Sequence, residues 1–221
     1  MRRRMFWSLI GIALLLGGCA TVDTAAVKSK TEGKNLVVVS TVDSKLNLLW
    51  VGTTVFNIEQ QVADKPEWKL PELFNQQVLK RLKDSGRLMR VAASTATTGD
   101  RNEIVRTNAP LADLALVLSN GVIGDPVYQT NQVMRGLGVF QRSALGLKAN
   151  SLPHAVIKAE LIDLRTAETV ATYTTKSFEF QAYSLGSGAN IESDKAEMVQ
   201  QSLTRLTDKA SDELVKAFGF Q

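Results

Sequence analysis

Residues 155–164, AVIKAELIDL, and 169–180, TVATYTTKSFEF, decide the fold. In the first stretch Val156, Lys158, Glu160 and Ile162 alternate with Ile157, Ala159, Leu161 and Asp163. That period of two places successive side chains on opposite faces of a strand. The second stretch is rich in Thr and aromatic residues, which suit a pleated surface. Thr166-Ala167-Glu168 lies between them. The pair predicts a β-hairpin, so the body of the protein contains a sheet.

Working outward from the hairpin, a helix is predicted on its C-terminal side. Val199, Leu203, Leu206, Ala210, Leu214 and Phe218 recur at spacings of three and four, one apolar stripe to lay across a sheet. Ser193 or Asp194 can cap its start, Asp194 with Glu197 fitting the capping arrangement, after a flexible link at Gly186–Asn190. On the N-terminal side, Leu111–Leu118 reads as a strand, with turn signals at Asn120-Gly121 and Gly124-Asp125-Pro126. Residues 127–147 hold Gly136, Gly138 and Gly146 among apolar residues and read as an irregular or twisted hairpin. Residues 93–110 are polar, with a short helix expected near Arg101–Arg106.

Farther back, Leu70, Phe74, Val78 and Leu82 form a second helical stripe. That helix begins near Pro71 and stops at Gly86. Arg87–Ala92 follows as a short strand. Asn35–Val42 is a β-branched run typical of a buried strand. Leu46–Ile58 reads as a long strand or hairpin arm, with Leu46, Leu48, Trp50, Phe56 and Ile58 on one face. The expected fold is a single α/β domain over residues 35–221. Its sheet is mixed or mainly antiparallel and is packed by at least two helices.

The remaining N-terminal residues have a different character. Arg2-Arg3-Arg4 precedes MFWSLIGIALLL (5–16) and then Leu16-Gly17-Gly18-Cys19. Basic residues, a short apolar core and small residues at the cut are the order of a secretory signal over residues 1–18. The apolar run is shorter than the roughly 20 residues a spanning helix takes. Leu16-Gly17-Gly18-Cys19 resembles the lipobox of bacterial lipoproteins. The resemblance implies cleavage after Gly18, a diacylglycerol thioether on Cys19 and acylation of the new amino group. Ala20, rather than Asp, follows the pattern of outer-membrane sorting, with the body facing the periplasm. Residues 19–34 are small and polar and are expected to form a flexible tether.

Three features of the body resemble one known group: the strand at 35–42, the Ala112-Asp113-Leu114 opening, and LIDLRTAETV at 161–170. The group comprises curli-secretion-channel lipoproteins and lipoproteins that activate penicillin-binding proteins. Its domain is similar to the amino-terminal domain of the Tol-system β-propeller protein. Asp163-Leu164-Arg165-Thr166-Ala167-Glu168 matches its hairpin turn except that Ala167 replaces Gly, the residue that enters left-handed turns without steric cost.

Composition excludes several function classes. Of 26 Lys and Arg residues, three leave with the signal, so the mature chain carries 23 basic against 22 acidic side chains. A net of +1 gives no electrostatic case for nucleic acid. One cysteine permits no disulfide within the chain. One histidine, His154, has no Gly-x-Ser-x-Gly partner for triad chemistry, and it cannot assemble a typical zinc site with a lipidated thiol. Gly136-Leu137-Gly138 is half a dinucleotide fingerprint, but Gln141 stands where a Gly is needed. The Gly186–Gly188 loop lacks the Lys of a phosphate loop. Asp163 and Glu168 read as solvated turn carboxylates.

The expectation is therefore a non-enzymatic lipoprotein with no catalytic residues, no metal and no cofactor beyond the lipid on Cys19. Its partners would be the membrane, through the anchor, and an envelope protein. Trp50, Phe56, Tyr128 and Phe140 are the candidate partner-binding aromatics; core aromatics are the competing reading. The alternatives are an oligomeric secretion-channel subunit, using 46–58 and 127–147 as barrel strands, and an envelope hydrolase. The sequence leaves the oligomeric state open.

Overall fold

The structure is a computed structural model that describes residues 22–54, 57–96, 98–127, 129–143, 150–181, 184 and 188–221. The chain begins with α1 (Thr24–Thr31), β1 (Asn35–Ser40), β2 (Lys45–Val51) and β3 (Ile58–Asp64). A 3-10 turn at Pro66–Trp68 leads into α2 (Leu70–Asp84), β4 (Arg90–Ala93) and α3 (Arg101–Asn108). Then come β5 (Leu114–Asn120), β6 (Val122–Gly124), β7 (Val133–Arg142) and β8 (Asn150–Asp163). The chain closes with β9 (Thr169–Thr174), β10 (Ser177–Phe178), a 3-10 turn at Ser193–Lys195 and α4 (Ala196–Ala217).

The predicted hairpin is β8 with β9, and β8 is the spine of the molecule. Residues 158–162 of β8 pair with β9, and 154–155 pair with β10 in the same register. Its other edge is divided: β5 pairs with 157–163 and β7 with 150–156. Two sheets therefore share one strand. One runs β4-β1-β5-β8-β9, and the other runs β3-β2-β7-β8-β10. The pairs β1–β4, β1–β5 and β2–β7 are parallel and the others antiparallel, so the sheet is mixed.

The sheets part where β5 ends and β7 approaches. Gly136 has φ +57°, and a Cβ there would stand 2.9 Å from the Asn120 side chain. A Cβ on Gly121 would meet the Lys158 amide at 2.9 Å. Only glycine fits both places. Pro153 is tolerated inside β8 because its carbonyl accepts from Glu179 on the β10 side. The missing N–H faces that same outer edge. Thr175 fills the gap between β9 and β10: its hydroxyl donates to the Ala155 carbonyl and accepts from the Ile157 amide.

The core has three parts. Leu70, Phe74, Val78 and Leu82 of α2, with the stripe of α4, bury against the inner face of both sheets. Ile104 of α3 closes the opposite face of the first sheet over Val37, Val39 and Val117. The opposite face of the second sheet holds Leu49, Val51, Met134, Phe140, Leu152 and Val156. Glu213 of α4 fastens the helix layer to the sheet, accepting from the Tyr173 hydroxyl (2.7 Å), the Lys176 amide (3.0 Å) and the Ser177 hydroxyl (2.9 Å).

Four expectations change. Within the expected tether, Thr24–Thr31 is a helix capped by the Asp23 carboxylate, with Val27 only 1% exposed. Leu46–Ile58 is not one long strand: β2 ends at Val51 and β3 begins at Ile58, pairing back on it. Where 127–147 is described, it holds one strand, β7, whose partners β2, β6 and β8 all come from outside the region. Asp194 does not cap α4. It lies inside the 3-10 turn, Lys195 takes the cap position, and no side chain bonds there.

Candidate interaction surfaces

The two ends of the β8 spine present different chemistry. At one end, here the tip, Val51, Arg142 and Asn150 lie side by side across β2, β7 and β8. Ile58 faces Val51 from β3. The tip of the β2–β3 hairpin is closed by Gly52 N–H donating to Asn57 (2.7 Å) and Asn57 N–H to Thr54 (3.0 Å). Opposite it, the buried Asp125 carboxylate gathers the following loop, accepting from the amides of Val127 and Thr130 and from the Thr130 hydroxyl. Between the two loops lies a cavity of about 340 Å³ with Thr53, Thr54, Asn131 and Gln132 in its walls and Val51 and Ile58 below. That is within the size range of small-ligand sites, and its walls offer hydrogen-bonding amides and hydroxyls with one cation, Arg142.

The sequence-predicted aromatics separate. Trp50 is half-buried, and its indole N–H donates to the Ser143 hydroxyl at 3.2 Å. Phe140 is 1% exposed in the core beneath the second sheet, so it belongs to packing and not to a surface patch. Gly138 lets β2 pass so close that a Cβ would lie 2.1 Å from the Asn47 carbonyl oxygen. Phe56 and Tyr128 lie outside the described residues, as do Cys19 and Leu16, Gly17 and Gly18. The segments proposed as barrel strands are core strands where described: β7 is buried from Gly136 to Gln141, and β2 lies between β3 and β7.

The surface that sequence reading missed includes β3. All seven of its residues are exposed or half-exposed, it pairs only with β2, and Ile58 and Val62 are 43% and 57% exposed. Alternation alone cannot reveal an edge, because an edge strand and an inner strand share the same period.

The other end, the base, gathers the starts of β1, β4 and β5. Asn35 N–H donates to Asp113, whose own amide donates to the Asn35 carbonyl. Met89 N–H donates to the Lys34 carbonyl, and Gly33 N–H to the Arg87 carbonyl. The Arg87 guanidinium donates to the Gly219 carbonyl, and Gly219 packs against Thr24 at the start of α1. The chain therefore enters the fold at the base.

The titratable groups are held by structure. His154 is 1% exposed; its Nδ1 is 3.1 Å from the Leu152 carbonyl, and Nε2 has no partner in hydrogen-bond geometry among the described residues. Burial pushes its pKa down to about 4, although the Leu152 and Arg135 backbones favour the proton. Burial and the Glu213 hydrogen bond push Tyr173 up to about 12. For Glu160, burial raises the pKa, but the Thr169 hydroxyl and the Arg101 and Lys158 cations outweigh it and hold the group low. Asp163 accepts from the amides of Arg165 and Thr166. Glu168 is exposed beside the same turn. Among the described residues no three His, Cys, Asp or Glu side chains are grouped to hold a metal ion. Among the same residues no helix is long and apolar enough to cross a membrane.

No protein-family model matches the chain, and no curated protein matches it. Similar solved structures include protein XCC0632 from Xanthomonas campestris, 14% identical over 83% of this chain and 82% of that one, with a TM-score of 0.43. The PelC dodecamer from Paraburkholderia phytofirmans is 12% identical over 85% and 89%, at 0.38. A neuraminyllactose-binding hemagglutinin homologue from Helicobacter pylori is 9% identical over 85% and 87%, at 0.44. Values this low leave the function to be argued from the chain itself.

Proposed function

We propose that this chain is an exported lipoprotein, acylated at Cys19 and held at the outer membrane with its body facing the periplasm. The reading makes it a non-enzymatic accessory factor that binds another envelope protein. The observation that carries it is Leu16-Gly17-Gly18-Cys19 directly after a basic and apolar leader. The fold supports it, since α1 begins a few residues after Cys19 and the anchor would feed straight into a folded body. Several acyl chains at about 0.8 kcal/mol per buried CH₂ make a lasting tether. The partner surface belongs to the tip, where a cavity is lined by Thr53, Thr54, Asn131 and Gln132 and Ile58 lies open at the start of β3.

Metabolic labelling with a clickable palmitate tests the anchor. The wild-type chain should take label and show an acylated Cys19 as its mature first residue by mass spectrometry, and Cys19→Ser should take none. An unmodified thiol, or retention of Arg2–Arg4, would overturn the reading. A photo-crosslinker placed at Thr54 or Asn131 should capture one specific envelope protein, and a crosslinker at Lys209 of α4 should not.

A further inference from the structure

We infer that the base of the molecule is a membrane-contact surface, on which Met89 and Leu111 enter the headgroup layer of a phospholipid bilayer. The inference rests on the acylation of Cys19 proposed above.

Three observations converge on it. The first is where α1 starts. Asp23 caps α1, and Thr24 packs against Gly219 at the base. The four residue steps from Cys19 to Asp23 span at most about 14 Å when fully extended. An acylated Cys19 therefore holds this end, and no other, against the bilayer. A protein bound to the base would have to be wedged into that gap.

The second is apolar exposure. Met89 at 73% and Leu111 at 64% are the two most exposed large apolar side chains among the described residues. Both lie in base loops, Met89 directly before β4 and Leu111 three residues before β5. Leu111 follows the exposed Ala109 and Pro110, so that loop offers an uncharged, apolar surface. Neither side chain shares in a core cluster.

The third is the set of cations beside them. Arg90, exposed, follows Met89, and Lys34 shares the Met89 backbone hydrogen bond; Arg87 lies beside them with one guanidinium nitrogen on the Gly219 carbonyl. Long cationic side chains lay their stems along apolar surface and reach phosphate with their heads. Of the acidic groups nearby, Asp113 accepts from Asn35 and lies 4.0 Å from Lys34, and Asp163 is held in its turn, while Glu168 is exposed beside that turn. Glu32 remains exposed on the same side.

Because Cys19 is the only cysteine and its thiol is acylated, a second cysteine can be labelled alone. The test uses the acylated protein in phosphatidylethanolamine–phosphatidylglycerol vesicles, with a polarity-sensitive fluorophore on Met89→Cys, Leu111→Cys or, at the tip, Thr53→Cys. At 89 and 111 the emission should shift to the blue and be quenched by nitroxide-bearing lipid. At 53 it should match the lipid-free protein. In each sample, mass spectrometry first establishes the acyl chains. An acylated protein whose 89 and 111 probes stay as wet and unquenched as the probe at 53 overturns this surface and leaves the anchor standing. A chain without acyl mass overturns the anchor instead. A blue shift in vesicle-free solution that grows with protein concentration also overturns the proposal, because a second copy then covers the base.

Discussion

At the scale of single residues, burial sets the behaviour of His154. Its folded pKa of about 4 lies below the ordinary 6.5. Between those values the unfolded chain carries a proton that the folded chain does not. Stability therefore rises with pH across the window and falls as pH drops from about 6.5 towards 4. At 1.36 kcal/mol per pKa unit the loss is roughly 3 kcal/mol. Urea unfolding at pH 7 and pH 4.5 should show it, with a smaller difference in His154→Gln; equal differences would remove His154 as the cause. Ala167 offers a second test. It has φ +59°, the left-handed conformation that costs an L residue energy and glycine little. Ala167→Gly should stabilise the protein by roughly 0.5–1 kcal/mol, once glycine's greater freedom in the unfolded chain is subtracted. A lower thermal midpoint for that variant would contradict the assignment. The sequence alone marked Ala167, because a turn motif fixes backbone angles locally. It could not sort Trp50 from Phe140, since exposure of an aromatic depends on which strands become neighbours.

Among elements, the helices were the most legible. Leu70, Phe74, Val78 and Leu82 and the six-residue stripe of α4 are buried as their spacing requires. Gly86 ends α2 region in the left-handed conformation, at φ +65°. α1 was hidden because eight residues with little amphipathic pattern carry no periodic signal, and short helices depend on tertiary packing. Its place in the fold is testable. Val27→Ala should cost roughly 2 kcal/mol and Asp23→Ala roughly 1 kcal/mol, measured by denaturant unfolding. A flexible tether would tolerate both without effect. The capping pair Asp194 and Glu197 misled because the 3-10 turn ahead of α4 shifts the helix start by one residue.

For the whole molecule, the lesson is that pairing partners are not written in any one strand. The 155–164 stretch announced a hairpin, yet β8 extends back to Asn150 and serves two sheets. Pro153 and His154 obscured that N-terminal half, and its neighbours come from residues far away in the chain. A strand common to both sheets couples them. Native-state hydrogen exchange should find the amides of Leu152 and Val156 opening with the same free energy as those of Ala159 and Leu161. Two distinct values would mean that the sheets unfold separately. On the proposed reading, the length of β8 also bears on where a partner is met. Thirteen steps at about 3.3 Å per residue separate its ends by about 40 Å. With the chain's entry point at one end, a partner seated at the other would meet this protein well above the lipid plane. If Cys19 is acylated as proposed, the spine would act as a standoff, setting the height at which contact takes place.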